Sequence, residues 1–244
     1  MLKIQKEKSL RFGEAVLKLK LASEQDIQRV LAQQFKYTYV ADGKSLHAKL
    51  VTATNPYDPV SDALRTTRAQ LLLSWFVDGR KTLAVGAPSE REESSVLAAN
   101  LAILFAQLGR KTLLIDANLR KPGLHSLFKL GNSSGLSELL AGRVQHLAVN
   151  TVLPFQTLSL LSAGSVPPNP SELLLRAPLE TFLAEAARDY DIVIIDTPPA
   201  TASSDFQAVA ARAGGMLIAA RPNLSRVNDI ADMKEKILMT GASV

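Results

Sequence analysis

Ile192-Val193-Ile194-Ile195-Asp196-Thr197-Pro198 is an unbroken apolar run that ends in a carboxylate and a proline. It shows no alternation of apolar and polar residues, so it reads as a strand buried on both faces. Four more short runs have this character: 81–85 (KTLAV), 111–115 (KTLLI), 157–161 (TLSLL) and 215–220 (GMLIAA). Helical stretches at 94–109, 171–188 and 203–212 lie between them. Buried strands separated by helices predict an α/β protein whose parallel sheet is flanked by helices. Ligands in such folds bind beyond the carboxyl ends of the strands, which here are the segments 86–95, 116–122, 196–205 and 221–227.

Two of those strand ends carry acids. Asp196 follows one apolar run, and Asp116 follows Leu113-Leu114-Ile115. Either could cap the next helix. An apolar strand ending in Asp is also the form that holds Mg²⁺, through water, beside a nucleotide phosphate. Two such strands lying side by side would bring both carboxylates to one metal, which favours a nucleotide site over a pair of caps.

The rest of the chain bounds the reading. Its 244 residues are 47 % hydrophobic and 21 % charged, enough for one large domain with a small appendage. There is no cysteine, and His47, His125 and His146 have no metal-ligand spacing. The opening MLKIQKEKSL lacks the apolar core of a signal peptide, and the uncharged run 94–109 is too short and polar to span a bilayer. A cytoplasmic protein is expected. Residues 1–50 hold ten Lys/Arg against five Asp/Glu, while the remainder is balanced. A basic arm on a neutral body suits an anionic membrane surface or an acidic partner, or is merely a solvated face. It has few aromatics and no reader motif, so nucleic acid is not an expected partner.

Residues 9–34 read as two short helices. Ser23 and Asp26 form a box-like cap for the second, which is followed by Ile27, Val30, Leu31 and Gln34 at helical spacing. Periodicity is lost from Phe35 to Pro59, and a further helix is expected from about Ser61 to Trp75. The resulting division is a helical docking module at 1–40, a linker at 41–60 and an α/β domain at 61–244.

LLIDANLRKPGLH, ending at His125, resembles the A′ motif of bacterial tyrosine kinases, the capsule and exopolysaccharide kinases related to MinD-type P-loop ATPases. NLAILFAQLGRKT at 100–112, GLSELLAG at 135–142, LSAGSVPPNPSELL at 161–174 and IDTPPA with Asp205 beyond it follow in the same order. The resemblance covers about residues 51–244 and is nearest to the EpsG-like kinases. It implies a P-loop NTPase fold, ATP and Mg²⁺ as cofactors, and a polysaccharide co-polymerase (a membrane-bound chain-length regulator) as partner. It also implies Asp116 and Asp196, with Asn118 at the place of a second A′ acid, as catalytic positions. Ser95, Asp116 and Asp196 would be the metal positions.

A phosphate-binding loop needs glycine amides to wrap the phosphates and a lysine to neutralise them. The corresponding stretch here is Pro88-Ser89-Glu90-Arg91-Glu92-Glu93-Ser94-Ser95. Pro88 and Glu93 stand at the two glycine positions and Ser94 at the lysine. Arg91 is the loop's lone cation, and Ser95 keeps the magnesium hydroxyl. No lysine lies between Lys81 and Lys111. The expectation is a tyrosine-kinase-like protein with impaired ATP binding, pseudokinase in character; the alternative is an active ATP-dependent autokinase. The tyrosines, at 37, 39, 57 and 190, include no C-terminal cluster, and the last residues, 240–244, read as the opening of another strand.

Two surfaces stand apart from ATP. Asp62-x-x-Arg65-x-x-Arg68 resembles the family's subunit-binding motif, with Asp for Glu, and implies a homo-oligomer; by spacing alone it is a charged helix face. Residues 11–34 resemble a single copy of the N-terminal module of type II secretion ATPases, with Lys20 where that module prefers glycine. A docking module packed by Phe12, Val16, Leu21 and Leu31 is expected there, with a cyclic di-GMP-responsive module as the alternative.

Overall fold

The computed structural model describes residues 12–23, 26–27, 30, 38–40, 45–144 and 149–244. Arg11, Leu31 and Gln34 of the N-terminal motif lie outside the described residues, as does the side chain of Phe12. Six strands form one sheet: β1 (Thr82–Gly86), β2 (Thr112–Asp116), β3 (Asn150–Thr151), β4 (Leu158–Leu161), β5 (Ile192–Asp196) and β6 (Met216–Ile218). Their spatial order is β3-β4-β2-β5-β1-β6, parallel throughout except for the short antiparallel β3 at the edge. The five apolar runs are therefore the five parallel strands. Past β6, Ser243 forms an isolated parallel bridge to Gly215 at the sheet edge.

Side-chain alternation splits each buried strand between two cores. Leu113, Ile115, Val193 and Ile195 face one, and Leu114, Leu83, Val85 and Ile194 face the other. The first is closed by α7 (Pro170–Leu175), α8 (Ala177–Asp189), α9 (Asp205–Ala213) and α10 (Val227–Leu238), through side chains such as Leu173, Phe182, Val209 and Met233. The second is closed by α4 (Ser94–Gln107), through Leu101, Ile103 and Phe105. Two-sided burial is why the strands read as continuous apolar runs. The helix expected over 171–188 is divided. Arg176 takes an extended backbone (φ −74°, ψ 156°), and Pro178 opens α8 in a first-turn position where its missing N–H costs nothing.

Ahead of the sheet lie α1 (Phe12–Lys18), α2 (Val51–Thr54) and α3 (Pro59–Ser74), and two short helices, α5 (Leu124–Leu127) and α6 (Leu136–Leu140), follow β2. Lys20 lies just past α1 in the left-handed region (φ 52°), the conformation glycine adopts most cheaply. The Ser23 and Asp26 box is formed: Asp26 Oδ2 accepts from the Ser23 amide at 3.0 Å, and the Asp26 amide donates to Ser23 Oγ at 3.2 Å. Ala15 and Val16 are buried, whereas Leu21 and Val30 are exposed, so Leu21 does not do the packing expected of it. The chain at 46–54 packs closely. Leu46, Leu50 and Ala53 enter the second core, and Thr52 is buried against Asn100 of α4. Asn100 Oδ1 accepts from the Thr52 amide (3.0 Å) and hydroxyl (2.8 Å), while its Nδ2 donates to the Lys49 carbonyl (3.0 Å).

Asn100→Leu keeps the branched shape of that side chain but leaves the Thr52 amide buried without an acceptor, and its hydroxyl with only the 3.3 Å bond to the backbone carbonyl of residue 100. Urea denaturation should show a loss of roughly 1–3 kcal/mol, the cost of orphaned buried polar groups.

Candidate functional site

The loop from β1 to α4 is built from its own hydrogen bonds. Gly86 ends β1 against β5's exit; a Cβ there would lie 2.5 Å from Thr197 Oγ1. Ser89 then caps a 3₁₀ turn over Glu90–Glu92. The Glu92 carboxylate folds back, accepting from the Ser89 amide (3.1 Å) and hydroxyl (2.6 Å) and from Ser225 Oγ (2.8 Å). Burial pushes the Glu92 carboxyl up, but the Ser89 and Ser225 donors outweigh it and hold the group below its ordinary value.

Glu93 follows as the N-terminal residue flanking α4, with φ 54° and ψ 46°. For a residue with a Cβ this left-handed conformation costs about 1 kcal/mol. The side chain is held from two sides: Lys49 Nζ reaches Oε1, and Arg221 Nη2 lies 3.3 Å from Oε2. The Lys49 hydrogen bond leads in drawing this carboxyl below its ordinary value, against some desolvation, with Arg221 helping. Arg221 Nη1 also donates to the Arg91 carbonyl at 3.2 Å, and Lys121 Nζ pairs with Glu90 at 2.7 Å.

Below the loop are the two acids. Register pairs Asp116 of β2 directly with Asp196 of β5, and both are fully buried. Asp116 Oδ2 accepts from the amides of Gly123 and Leu124, each at 3.0 Å, and Oδ1 from the Asn118 amide at 3.1 Å. Even so, burial raises its pKa to about 6. Neither oxygen of Asp196 has a hydrogen-bond partner. Burial first, and then the Asp116 charge, raise Asp196 well above the ordinary carboxylate range; Ser95 and the Thr197 amide face it without a well-formed bond and offset little of this.

A cleft of about 200 Å³ lies over these acids, lined by Glu90, Glu93, Ser94, Ser95, Asn118 and Lys121 among others. Of the residues expected to hold a cofactor, Glu93, Ser94 and Ser95 line it. Pro88 is buried and Arg91 exposed, and neither is among the lining residues. Asn118 reaches the cleft, and its Oδ1 accepts from the Lys121 amide at 3.1 Å, closing the turn after Asp116. Of the three cations that serve the loop, Lys121 lies within the A′-like stretch, whereas Lys49 and Arg221 carry no local motif and the sequence reading missed them. Nearby, Asp205 pairs with Arg120 Nε at 2.7 Å and accepts from Ser171, tying the loop after β2 to α7 and α9. Among the described residues no group of three His, Asp or Glu side chains gathers as a metal site, and no helix is long and apolar enough to cross a membrane.

On the helix expected to bind a subunit, Arg65 pairs with Asp62 and donates to the Pro56 carbonyl, and Arg68 Nη1 donates to the Leu104 carbonyl at 3.2 Å. Asp62 is exposed and both arginines are half-buried.

A parallel sheet with paired acids at the ends of neighbouring strands, beneath a loop that opens a helix, is the architecture of the P-loop NTPase fold class. MinD of Pyrococcus furiosus shares this fold, with a TM-score of 0.57 at 18 % identity. No protein-family model matches the chain. Individual relatives are closer. The tyrosine-protein kinase YwqD of Bacillus subtilis is 33 % identical over 195 residues, 80 % of this chain and 82 % of that one. CapB of Staphylococcus aureus is 34 % identical over 171 residues, 70 % of this chain and 75 % of that one. The kinase domain of Escherichia coli ETK superposes with a TM-score of 0.76 at 29 % identity, over 84 % of this chain and 85 % of that one. The chain belongs to the bacterial tyrosine-kinase family. It spans about a quarter of the length of the full E. coli tyrosine kinase etk, 26 % at 33 % identity.

The acid pair has a pH signature. Asp116 binds a proton more tightly folded than unfolded, so between about pH 4 and 6 its ionisation removes stability as pH rises, and Asp196 extends this loss upward. Asp196→Asn removes one charge of the pair. Thermal melts should show the variant more stable than the parent at pH 7, by on the order of 1 kcal/mol or more, with the advantage shrinking toward pH 4.

Proposed function

We propose that this chain is a tyrosine-kinase-like component of exopolysaccharide or capsule assembly and chain-length control, in which the loop after β1 no longer serves ATP. The observation that carries this reading is Glu93. It stands where a phosphate loop needs glycine, and its carboxylate engages Lys49 and Arg221 at the N-terminus of α4. That helix end favours an anion. Here a protein carboxylate is already beside it, and Glu90 occupies Lys121.

The residues fit Mg·ATP only in part. Ser95 with the orphaned Asp196 carboxylate and Asp116 suits a hard cation that would relieve their repulsion. The loop above does not suit a triphosphate: Ser94 supplies no charge where the motif calls for lysine, and Glu90 and Glu93 add negative charge to the cleft. Role follows from this balance. The protein would act by assembly, with itself through Asp62, Arg65 and Arg68, and with a membrane-bound polysaccharide co-polymerase. The basic first fifty residues would meet an acidic tail or an anionic membrane surface on the cytoplasmic side. A second reading, an active autokinase, draws on that same intact acid pair. A cyclic di-GMP-responsive role for the N-terminal module rests largely on residues outside the described ones.

Calorimetric titration with Mg·ATP tests the central point. Binding should be weaker than millimolar in the parent and gain orders of magnitude when Pro88→Gly, Glu93→Gly, Ser94→Lys and Asn118→Asp are combined, since each restored charge-assisted contact is worth roughly 1.5–3 kcal/mol. Micromolar affinity in the parent, or transfer of phosphate to its own tyrosines, would establish the autokinase instead.

Assembly has its own measurement. Replacing Arg65 and Arg68 together by Glu should lower the mass seen by light scattering to that of a monomer while circular dichroism stays native. An unchanged mass, or a monomeric parent, would return these arginines to their intrachain contacts alone.

A further inference from the structure

A second cleft opens at the opposite end of the sheet, where strands begin. Lys81 precedes β1, Arg110 precedes β2 and Asp191 precedes β5; the order β2-β5-β1 sets these three starts side by side. The space is about 210 Å³ and is walled on one side by Leu72, from the last turn of α3, and Phe76 just beyond it. The Phe76 ring is held edge-on against Phe105, centroids 5.3 Å apart. Arg80 also lines the cleft, its guanidinium 4.8 Å above the ring of Trp75. Lys81 Nζ donates to the Tyr190 carbonyl at 3.1 Å, and Asp191 Oδ2 accepts from the Lys111 amide at 2.9 Å. Arg80, Lys81 and Arg110 against Asp191 leave this cleft two positive charges in excess.

We propose that this cleft binds a phosphotyrosine side chain presented on a peptide. The charge excess matches a phosphate monoester, which carries about −1.5 to −2 at neutral pH. Two guanidinium groups offer the forked donors that phosphate oxygens prefer over a point charge. Leu72 and Phe76 ask for something more than an anion, namely an apolar stem that covers them. A phenyl ring does so and takes edge or offset contact with Phe76; the short, polar stem of phosphoserine does not. Size agrees. The volume falls below the several hundred Å³ of sites for drug-sized ligands and suits a single side chain. Because the loops of the nucleotide-type cleft leave the other ends of the same strands, the proposal stands whether or not that cleft holds ATP. In a tyrosine-kinase family, a member with this cleft would read the modification as well as resemble the enzyme that makes it.

Calorimetry on the full chain with a short phosphotyrosine peptide tests this, with emission of Trp75, the single tryptophan, as a second signal because Arg80 stacks on its face. Saturable binding is expected, with a shift in Trp75 emission. Affinity should fall at least tenfold in Arg80→Ala and in Arg110→Ala, each verified as folded, and at least tenfold for the unphosphorylated and phosphoserine peptides. Inorganic phosphate should bind more weakly than the phosphotyrosine peptide. No heat at millimolar peptide, equal binding of the unphosphorylated peptide, or affinity that survives both substitutions would overturn the proposal. So would a preference for phosphatidylglycerol vesicles over the peptide, which would make this a membrane-facing patch.

Discussion

Two carboxylates on neighbouring strands share one buried corner, and much of the surrounding chain is arranged around that fact. The register that pairs Asp116 with Asp196 also keeps Leu113 through Ile115 opposite Val193 through Ile195, so the acids cannot be moved apart without slipping the core. Like charges in such a place oppose ionisation, and a low dielectric makes each unpaired oxygen expensive. The chain answers unevenly. The turn from Asn118 to Leu124 wraps three amides around Asp116, whereas Asp196 receives no hydrogen bond. That asymmetry leaves one acid structurally anchored and the other free to exchange a proton or meet a cation.

Above the corner, charge is handled by pairing. Glu92 is taken up by two hydroxyls, Glu93 by two cations and Glu90 by a third. The Glu90 and Glu93 pairs are part-exposed, so each contributes little to stability by itself. Their effect is positional. They draw the chain before α2, the turn after β2 and the loop after β6 onto one loop, giving it a single conformation. The left-handed backbone at Glu93 persists in that conformation although the residue there is not glycine.

What could be read from the sequence follows from the range of the interactions involved. The parallel strands were legible because two-sided burial writes itself as uninterrupted Leu, Ile and Val. Asp116 and Asp196 were legible because they terminate such runs. The Ser23 and Asp26 box was legible because both partners lie within one turn. Lys49 was not, since it meets Glu93 from 44 residues away, nor was Arg221, which meets it from 128. Nothing local marks either residue. The three acids of the loop therefore read as uncompensated, when the fold brings a compensating group to each. The break at Arg176 was hidden by apolar spacing that continues across it, and α10 by the turn-like residues before it. The stretch at 46–54 lacked periodicity because a few side chains, Leu50 and Thr52 among them, do its packing.

The strand order also fixes when this molecule can become itself. β5 lies between β1 and β2, yet it follows β2 by some 75 residues, and neither of its neighbours pairs with the other. On the ribosome the first two parallel strands therefore emerge without the partner that joins them. One of their apolar faces is covered by α4, the helix that connects them. Pairings of such sequence separation are slow to form because a long loop must close before any contact rewards it. The acid corner is thus complete only when residues 192–196 insert between β1 and β2. Chains interrupted before that point would carry the loop after β1 and the A′-like turn but no common centre, with both edges of β1 and one of β2 open to other chains.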